Sequence, residues 1–186
     1  MPMRPLANSK TNGFSLIEVL ITLVILMIGL LGLVGLQSAA ITTQTEAYQR
    51  SQAITLVKDM ADRLNANRAT AATYVTGTPL GTGAAAADCA GVPLGQALDA
   101  CEWHNALLGA AETKGGTNVG TMTGARGCIY NTVAGAVPQF LIAVAWQGFN
   151  RTAAPPGVDC GAGEYGSEEL RRVVTLTVTI GNLAAP

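Results

Sequence analysis

Gly13-Phe14-Ser15-Leu16-Ile17-Glu18-Val19-Leu20-Ile21-Thr22-Leu23-Val24-Ile25-Leu26-Met27-Ile28-Gly29-Leu30-Leu31-Gly32-Leu33-Val34-Gly35-Leu36 is the stretch on which the reading of the whole chain turns. From Phe14 to Leu36 it runs for 23 residues with Glu18 as its only charge. As a helix that is about 35 Å at ~1.5 Å per residue, enough to cross a hydrocarbon core of about 30 Å. The 13 residues before it, MPMRPLANSKTNG, are polar, with Arg4 and Lys10 and no acid. A secretory signal peptide has a shorter apolar core and a small-residue cleavage site after it. Here Gln37-Ser38-Ala39-Ala40 continues into further helix-forming sequence. A plain membrane anchor explains the length but not Glu18, because a carboxylate within an apolar span costs roughly 2.5–3.5 kcal/mol at central positions. Such a residue implies a partner.

Outward from this segment, Gln37 to Arg68 contains no Gly and no Pro. Ala47, Ile54, Val57, Ala61 and Leu64 fall on one stripe, with Leu56 and Met60 beside it, which is amphipathic helix spacing. Asp59–Arg63 and Lys58–Asp62 are i,i+4 pairs on what reads as a solvated face, worth tenths of a kcal/mol each. The pattern predicts one helix from about Phe14 to about Asn67, apolar all round in its first half and on one side in its second. Gly29, Gly32 and Gly35 sit three apart along it. They suit close helix–helix packing, and each weakens the helix by ~1 kcal/mol relative to alanine.

Bulk composition explains itself once this helix is set apart. Apolar residues make up 49% of the 186 and charged residues only 12%, about half the usual share of a soluble domain. The net charge is −1, so no basic field recommends nucleic acid as a partner. Loss of residues 1–13 would remove two bases and no acid, taking the charge to −3. Cys89, Cys101, Cys128 and Cys160 contain no CxxC spacing. An even count beside a membrane-targeting segment indicates two disulfides and an oxidising compartment rather than zinc. Four cysteines allow three pairings. The expected one is Cys89–Cys101, flanking a short turn into a helix, with Cys128–Cys160 tying a strand to a long loop.

The remainder reads as α+β. Ala69 to Gly91 is rich in Ala, Thr and Gly and is expected to be an irregular connection. Leu94, Leu98, Cys101 and Leu108 have helical spacing, on a segment that also carries Trp103 and His104. Gly115 to Gly124 is turn-rich. Three strands are expected near Gly127–Tyr130, Phe140–Gln147 and Arg172–Ile180. Phe140, Ile142, Val144 and Trp146 share one face of the second, and Val174, Leu176, Val178 and Ile180 one face of the third. Between these two strands lies a 20-residue loop, Gly148 to Ser167, with Pro155-Pro156 and Cys160. A loop of that length is usually functional or pinned. A membrane-anchored hydrolase would have only Ser167-Glu168-Glu169 and His104 as raw material. Adjacent acids point apart on a strand and give no acid/base geometry.

Gly13-Phe14-Ser15-Leu16-Ile17-Glu18 followed by Val19-Leu20-Ile21 resembles the processing motif of type IV prepilins and type II secretion pseudopilins. The resemblance implies cleavage between Gly13 and Phe14 by a prepilin peptidase, N-methylation of Phe14, and a role for Glu18 in subunit assembly. Glu18 would be neutralised by the amine of a neighbouring subunit's Phe14 once lipid is stripped away. It also implies a pilin-like fold, with a long N-terminal helix packed on a C-terminal antiparallel sheet. The parts expected are a leader at 1–13, the helix at 14–68 with 14–36 in the membrane or filament core, and a globular domain at 69–186. Arg4 and Lys10 would hold the leader in the cytoplasm, leaving the globular part periplasmic on a single-pass inner-membrane anchor, and later at the cell surface. Ile28-Gly-Leu-Leu-Gly-Leu33, Arg126-Gly-Cys-Ile-Tyr130 and Val144-Ala-Trp-Gln147 are similar to the PilV-type minor pilins, which implies a subunit that joins or primes the pilus in adhesion and twitching motility. Its partners would be the prepilin peptidase, other major and minor pilins, the inner-membrane assembly machinery and the lipid bilayer before assembly. No enzymatic activity, cofactor, metal or nucleic acid is expected. A minor pseudopilin of type II secretion, or a tip adhesin that uses the Gly148–Ser167 loop, are the alternatives.

Overall fold

A computed structural model describes residues 13–81, 85–110, 113–115, 117–118, 122–135 and 137–181. The leader at residues 1–12, with Arg4 and Lys10, lies outside the described residues. The chain divides into two compact units, residues up to Thr43 and residues from Gln44.

Helix α1 spans Leu16–Ala66, 51 residues, or about 76 Å at ~1.5 Å per residue. In the first unit it is helix alone. No described side chain from Phe14 to Leu36 is buried, and the best 18-residue window has a mean hydropathy of 2.9. The three glycines interrupt nothing there, and a Cβ at any of them would meet no atom within 4 Å.

In the second unit, α1 buries Gln49, Ala53, Val57, Met60, Ala61 and Leu64. The stripe therefore runs through Ala53 and Met60 rather than through Ala47 and Ile54. Ile54 is 38% exposed and Ala47 is exposed. Beyond α1, a 3-10 helix, Arg68–Tyr74, buries Ala71 and Tyr74. The first part of the connection expected to be irregular is thus packed. Helix α2, Gln96–Leu107, buries Trp103 and Leu107. Leu94 precedes it and is 91% exposed, because Gly95, at a φ of 100°, turns the chain before the helix begins. A small antiparallel pair, β1 (Thr113–Lys114) and β2 (Thr117–Asn118), stands in the turn-rich stretch.

Strands β3 (Arg126–Val133), β4 (Gln139–Gln147) and β5 (Arg171–Thr179) form an antiparallel sheet in that order. The α+β, pilin-like architecture is therefore the observed one. β4 is buried on both faces, as a central strand with an almost unbroken apolar run should be. Phe140, Ile142, Val144 and Trp146 join Ala53, Val57, Met60 and Leu64 of α1 in the main core. On the opposite face Ala143 and Ala145 lie in a second cluster with Cys128, Cys160 and Tyr165. Gly127 of β3 is obligatory for α2, since a Cβ there would stand 2.4 Å from the Trp103 ring.

A polar weld complements the core. Arg63 of α1 reaches Asp59 and Asp99 at 3.0 Å each and Glu102 at 2.5 Å. Asp99 also accepts from Asn67 Nδ2 at 3.1 Å and from the Tyr74 hydroxyl. What reads in sequence as a solvated face thus fastens α2 and the 3-10 helix to the end of α1. Burial lowers the affinity of the Arg63 guanidinium for its proton, but hydrogen bonds to Glu102, Asp99 and Asp59 outweigh this and hold it above the ordinary arginine range. Burial first, then the hydrogen bond to Asp99, push the Tyr74 phenol up to about 12.

Because the folded chain holds the Tyr74 proton more tightly than the unfolded chain, this stabilisation is complete below pH ~10 and is lost as pH rises toward ~12. Urea titrations of the detergent-solubilised protein between those values should show stability falling, by an amount on the order of 2 kcal/mol. Tyr74→Phe should flatten that slope. A second expectation concerns Gln49, which is buried with no hydrogen-bond partner for Oε1 among the described residues. Gln49→Leu should raise the urea midpoint, by about 1 kcal/mol in stability, since an unpaired buried acceptor is replaced by apolar volume.

Candidate functional site

The first site is the start of α1. Gly13, Phe14 and Ser15 precede the helix, so Phe14 stands just outside it and is 86% exposed. The Ser15 carbonyl accepts from the backbone N–H of Glu18 at 3.0 Å and of Val19 at 3.3 Å, closing the first turn. Glu18 lies in that turn, where the exposed N–H groups and the positive end of the helix dipole favour an anion. Within the apolar run the Thr22 hydroxyl donates to the Val19 carbonyl at 2.8 Å. That satisfies it internally, as a lipid environment requires. While residues 1–13 remain attached, the nitrogen of Phe14 is a peptide nitrogen and carries no charge.

The second region is the Gly148–Ser167 loop, and it is pinned along its length. The Cys128–Cys160 disulfide, with a Cα–Cα distance of 5.8 Å, ties it to β3. Cys89–Cys101, at 5.9 Å, ties the segment before α2 to α2 itself. Arg171, buried at the start of β5, donates to the carbonyls of Val158 at 2.6 Å, Cys160 at 3.2 Å and Pro155 at 3.4 Å, and pairs with Glu168 at 2.6 Å. The Gly163 N–H and then Arg171 lower the Glu168 carboxyl below its ordinary value. Arg126 pairs with Glu164 at 2.7 Å and lies 5.4 Å from the Tyr165 ring centroid. The Tyr165 hydroxyl donates to the Gly124 carbonyl at 2.9 Å. Burial pushes that phenol up, with Arg126 working against it. At the loop's entry, the N–H groups of Phe149 and Asn150 both donate to Glu46 Oε1 at 3.1 Å.

Sequence reasoning named the cysteines of this loop but not its cation clamp. The available signal was the pair Arg171-Arg172 opening an otherwise uncharged strand. The residues weighed for hydrolysis are spread over structural tasks. Ser167 caps a short 3-10 helix, Glu168–Leu170, and Glu168 and Glu169 pair with Arg171 and Arg151. His104 Nδ1 accepts the Gly81 N–H at 3.0 Å, and Trp103 Nε1 donates to the Leu56 carbonyl at 3.0 Å.

The fold and the apolar helix start define the class, a pilin-like subunit. Two family models match the chain in succession: the prokaryotic N-terminal methylation motif over residues 8–34, which include Gly13, Phe14 and Glu18, and the Tt1218-like family, type IV pilin Tt1218, over residues 35–101. Together they support a type IV pilin. The family is structural rather than catalytic, and the methylation motif implies processing by a prepilin peptidase and assembly with other pilins. An N-terminal apolar helix and this motif fit membrane anchoring and a pilus. No curated protein and no solved structure matches the chain.

Arg171→Leu should destabilise by about 1–3 kcal/mol, because the carbonyls of Val158, Cys160 and Pro155 lose their donor. Limited proteolysis should then cut between Gly148 and Cys160 at protease levels that leave the parent intact, with the Cys128–Cys160 link still formed by non-reducing peptide mapping.

Proposed function

We propose that this type IV pilin is a minor pilin of the PilV type. It is inserted in the inner membrane by its N-terminal helix with the globular part in the periplasm. It is cleaved between Gly13 and Phe14, methylated on Phe14, and taken into the pilus or the complex that primes it. Adhesion and twitching motility are the activities such a subunit serves. The observation that carries the reading is the placement of the methylation-motif residues. Gly13 and Phe14 lie just before a 51-residue helix, with Ser15 between, and Glu18 lies in its first turn.

The chemistry of each residue follows. Gly13 offers a scissile bond unobstructed by a side chain. Cleavage turns the Phe14 nitrogen into an amine that is cationic below about pH 8. Glu18, one turn further on, is tolerable near a headgroup but costly in a packed filament unless paired. A neighbour's amine supplies the pair, and a subunit docked one turn out of register would leave a charge buried alone. Glu18 thereby sets register. The parts of the subunit are then a leader at 1–13, a helix at 14–68 and a globular domain at 69–186.

Intact-mass analysis of membrane-purified protein should give a chain that begins at Phe14 and carries one extra methyl group. Gly13→Leu should leave an unprocessed chain. A mature terminus other than Phe14 would refute the processing reading. Glu18→Leu separates a pilin from a passive anchor. A passive anchor would tolerate or welcome the substitution, which removes a charge and adds apolar area. In a pilin, membrane levels and cleavage should persist while the amount in sheared pili falls severalfold, measured in cells that still make the major subunit. Normal incorporation would sink the pairing mechanism.

A further inference from the structure

The two disulfides stand in different surroundings. Cys128 and Cys160 are 3% and 0% exposed, packed with Ala143, Ala145 and Tyr165. Cys89 and Cys101 are each half-buried, and the chain on both sides of Cys89, Ala85 to Asp88 and then Ala90 and Gly91, is exposed. Thiol–disulfide exchange needs a thiolate to reach a sulfur, so the surface bond is the one open to it.

The two sulfurs of that bond are not equivalent. Asn105 stands one turn beyond Cys101 on α2. Its Nδ2 donates to Cys89 Sγ at 3.3 Å and to the Ala87 carbonyl at 2.8 Å, and its Oδ1 accepts the Ala87 N–H at 2.7 Å. Because Oδ1 is committed to an N–H, the amide can point only its N–H groups at the carbonyl and the sulfur. Among the described residues Cys101 Sγ accepts no hydrogen bond. A disulfide sulfur is a weak acceptor, but a hydrogen bond to an anion is about twice as strong as one to a neutral group. The Asn105 contact therefore strengthens when negative charge arrives on Cys89 Sγ. The two carboxylates next to the bond are engaged elsewhere: Asp88 Oδ1 accepts the Ala90 N–H at 2.9 Å, and Glu102 pairs with Arg63 at 2.5 Å.

Exchange is faster when the leaving sulfur is the better thiolate. Attack is thus directed to Cys101 Sγ, with Cys89 as the leaving group. The Ala87–Asn105 bonds do not depend on the disulfide, so the freed Cys89 thiolate stays beside Cys101. There it expels a single thiol, because a tethered group acts at a high effective concentration. A dithiol escapes this return, since its own second sulfur completes the exchange.

We propose that Cys89–Cys101 is an exchange site for a partner that carries a dithiol, with Cys101 as the sulfur that takes the partner and Cys89 as the sulfur that leaves. One partner thiolate attacks Cys101 Sγ. The Cys89–Cys101 bond breaks, a partner–Cys101 bond forms, and Cys89 departs as a thiolate held by Asn105. The second partner thiolate then attacks the partner sulfur of that mixed disulfide and releases Cys101. The partner's dithiol is oxidised to a disulfide, and this chain gains two thiols. Run backwards with an oxidised partner, the same steps install the bond.

The test treats the full chain in detergent with dithiothreitol, quenches with N-ethylmaleimide at intervals and maps the peptides. Cys89–Cys101 should open at least roughly tenfold faster than Cys128–Cys160. At equal thiol concentration glutathione should leave most of the bond closed, and the adduct trapped should carry glutathione on Cys101 and maleimide on Cys89. Asn105→Asp keeps an acceptor for the Ala87 N–H but withdraws the donor to sulfur, and should slow opening by dithiothreitol roughly tenfold with Cys128–Cys160 formed. In the Cys101→Ser chain, the Cys89 thiol should react with iodoacetamide down to a lower pH than in Cys101→Ser/Asn105→Asp. Equal opening of the two bonds would overturn the exchange site. Glutathione on Cys89, an unchanged rate in Asn105→Asp, or equal pH profiles would overturn the assignment of the two sulfurs. Full opening by glutathione would overturn the choice of a dithiol.

Discussion

Contact between Val57, Met60 and Leu64 of α1 and Phe140, Ile142 and Val144 of β4 organises the globular part, because each element supplies what the other lacks. The sheet has three strands and one long apolar face, and alone would be marginal. The helix, in this stretch, is apolar on one side only. Each fully buried aliphatic side chain at this contact contributes roughly 1.5–3 kcal/mol. The other elements are arranged around the seam. α2 enters over Gly127, where the missing Cβ lets the Trp103 ring touch the strand. The 3-10 helix adds Tyr74 and Ala71 at one end.

Away from that seam, segments are held by charge and covalent bonds rather than by apolar burial. The Gly148–Ser167 loop contributes few large apolar side chains, and the sequence around residues 69–91 is mostly Ala, Thr and Gly. Such segments cannot offset their ordering entropy by burial. The loop is held instead by Arg171 reading three carbonyls, by Arg126 and Glu164, and by the Cys128–Cys160 bond. Residues 76–81 are held by backbone bonds to β3 and by His104. Although charged residues are only 12% of the chain, several act as ties at the points where hydrophobic packing is thinnest.

This division explains what was legible in the sequence. Periodicity reports burial, so the helix and the core face of β4 could be read directly, and that of β5 in part, since Val178 is buried but Leu176 is left 37% exposed. It fails where burial is decided by something other than period. Ile54 and Met60 are both apolar and near one stripe, but the sheet takes the face centred on Val57 and Met60, leaving Ile54 partly in water. Leu94 fits the α2 spacing, yet Gly95 breaks the backbone before the helix starts. Ala143 and Ala145 carry no strong signal, since small residues read as neutral until a loop is known to cover them. Arg63 and Arg171 look like ordinary surface cations, because hydrogen bonds to distant carbonyls and carboxylates leave no period. The methylation motif over residues 8–34 was legible by residue type and order, which is a chemical rather than a packing signal.

Glu18 shows why the two halves of α1 follow different rules. In the Gln44–Ala66 half, polar groups are tolerated wherever a partner is near, and Glu46 finds two N–H groups and the Arg172 guanidinium at 3.5 Å. In the Phe14–Leu36 half there is no cationic side chain to supply such a partner, because every other residue of the run is apolar or glycine except Ser15 and Thr22, and Thr22 is already bonded to its own turn. A carboxylate kept there must be matched from outside the chain or by a new charge made on it. On the proposed reading, cleavage after Gly13 does both. It creates a cation at the helix start of each subunit, and it removes the only two basic side chains that precede the apolar run. The same bond scission thus converts a segment suited to a bilayer, with positive charge held on one side, into one that is complete only when another subunit lies beside it.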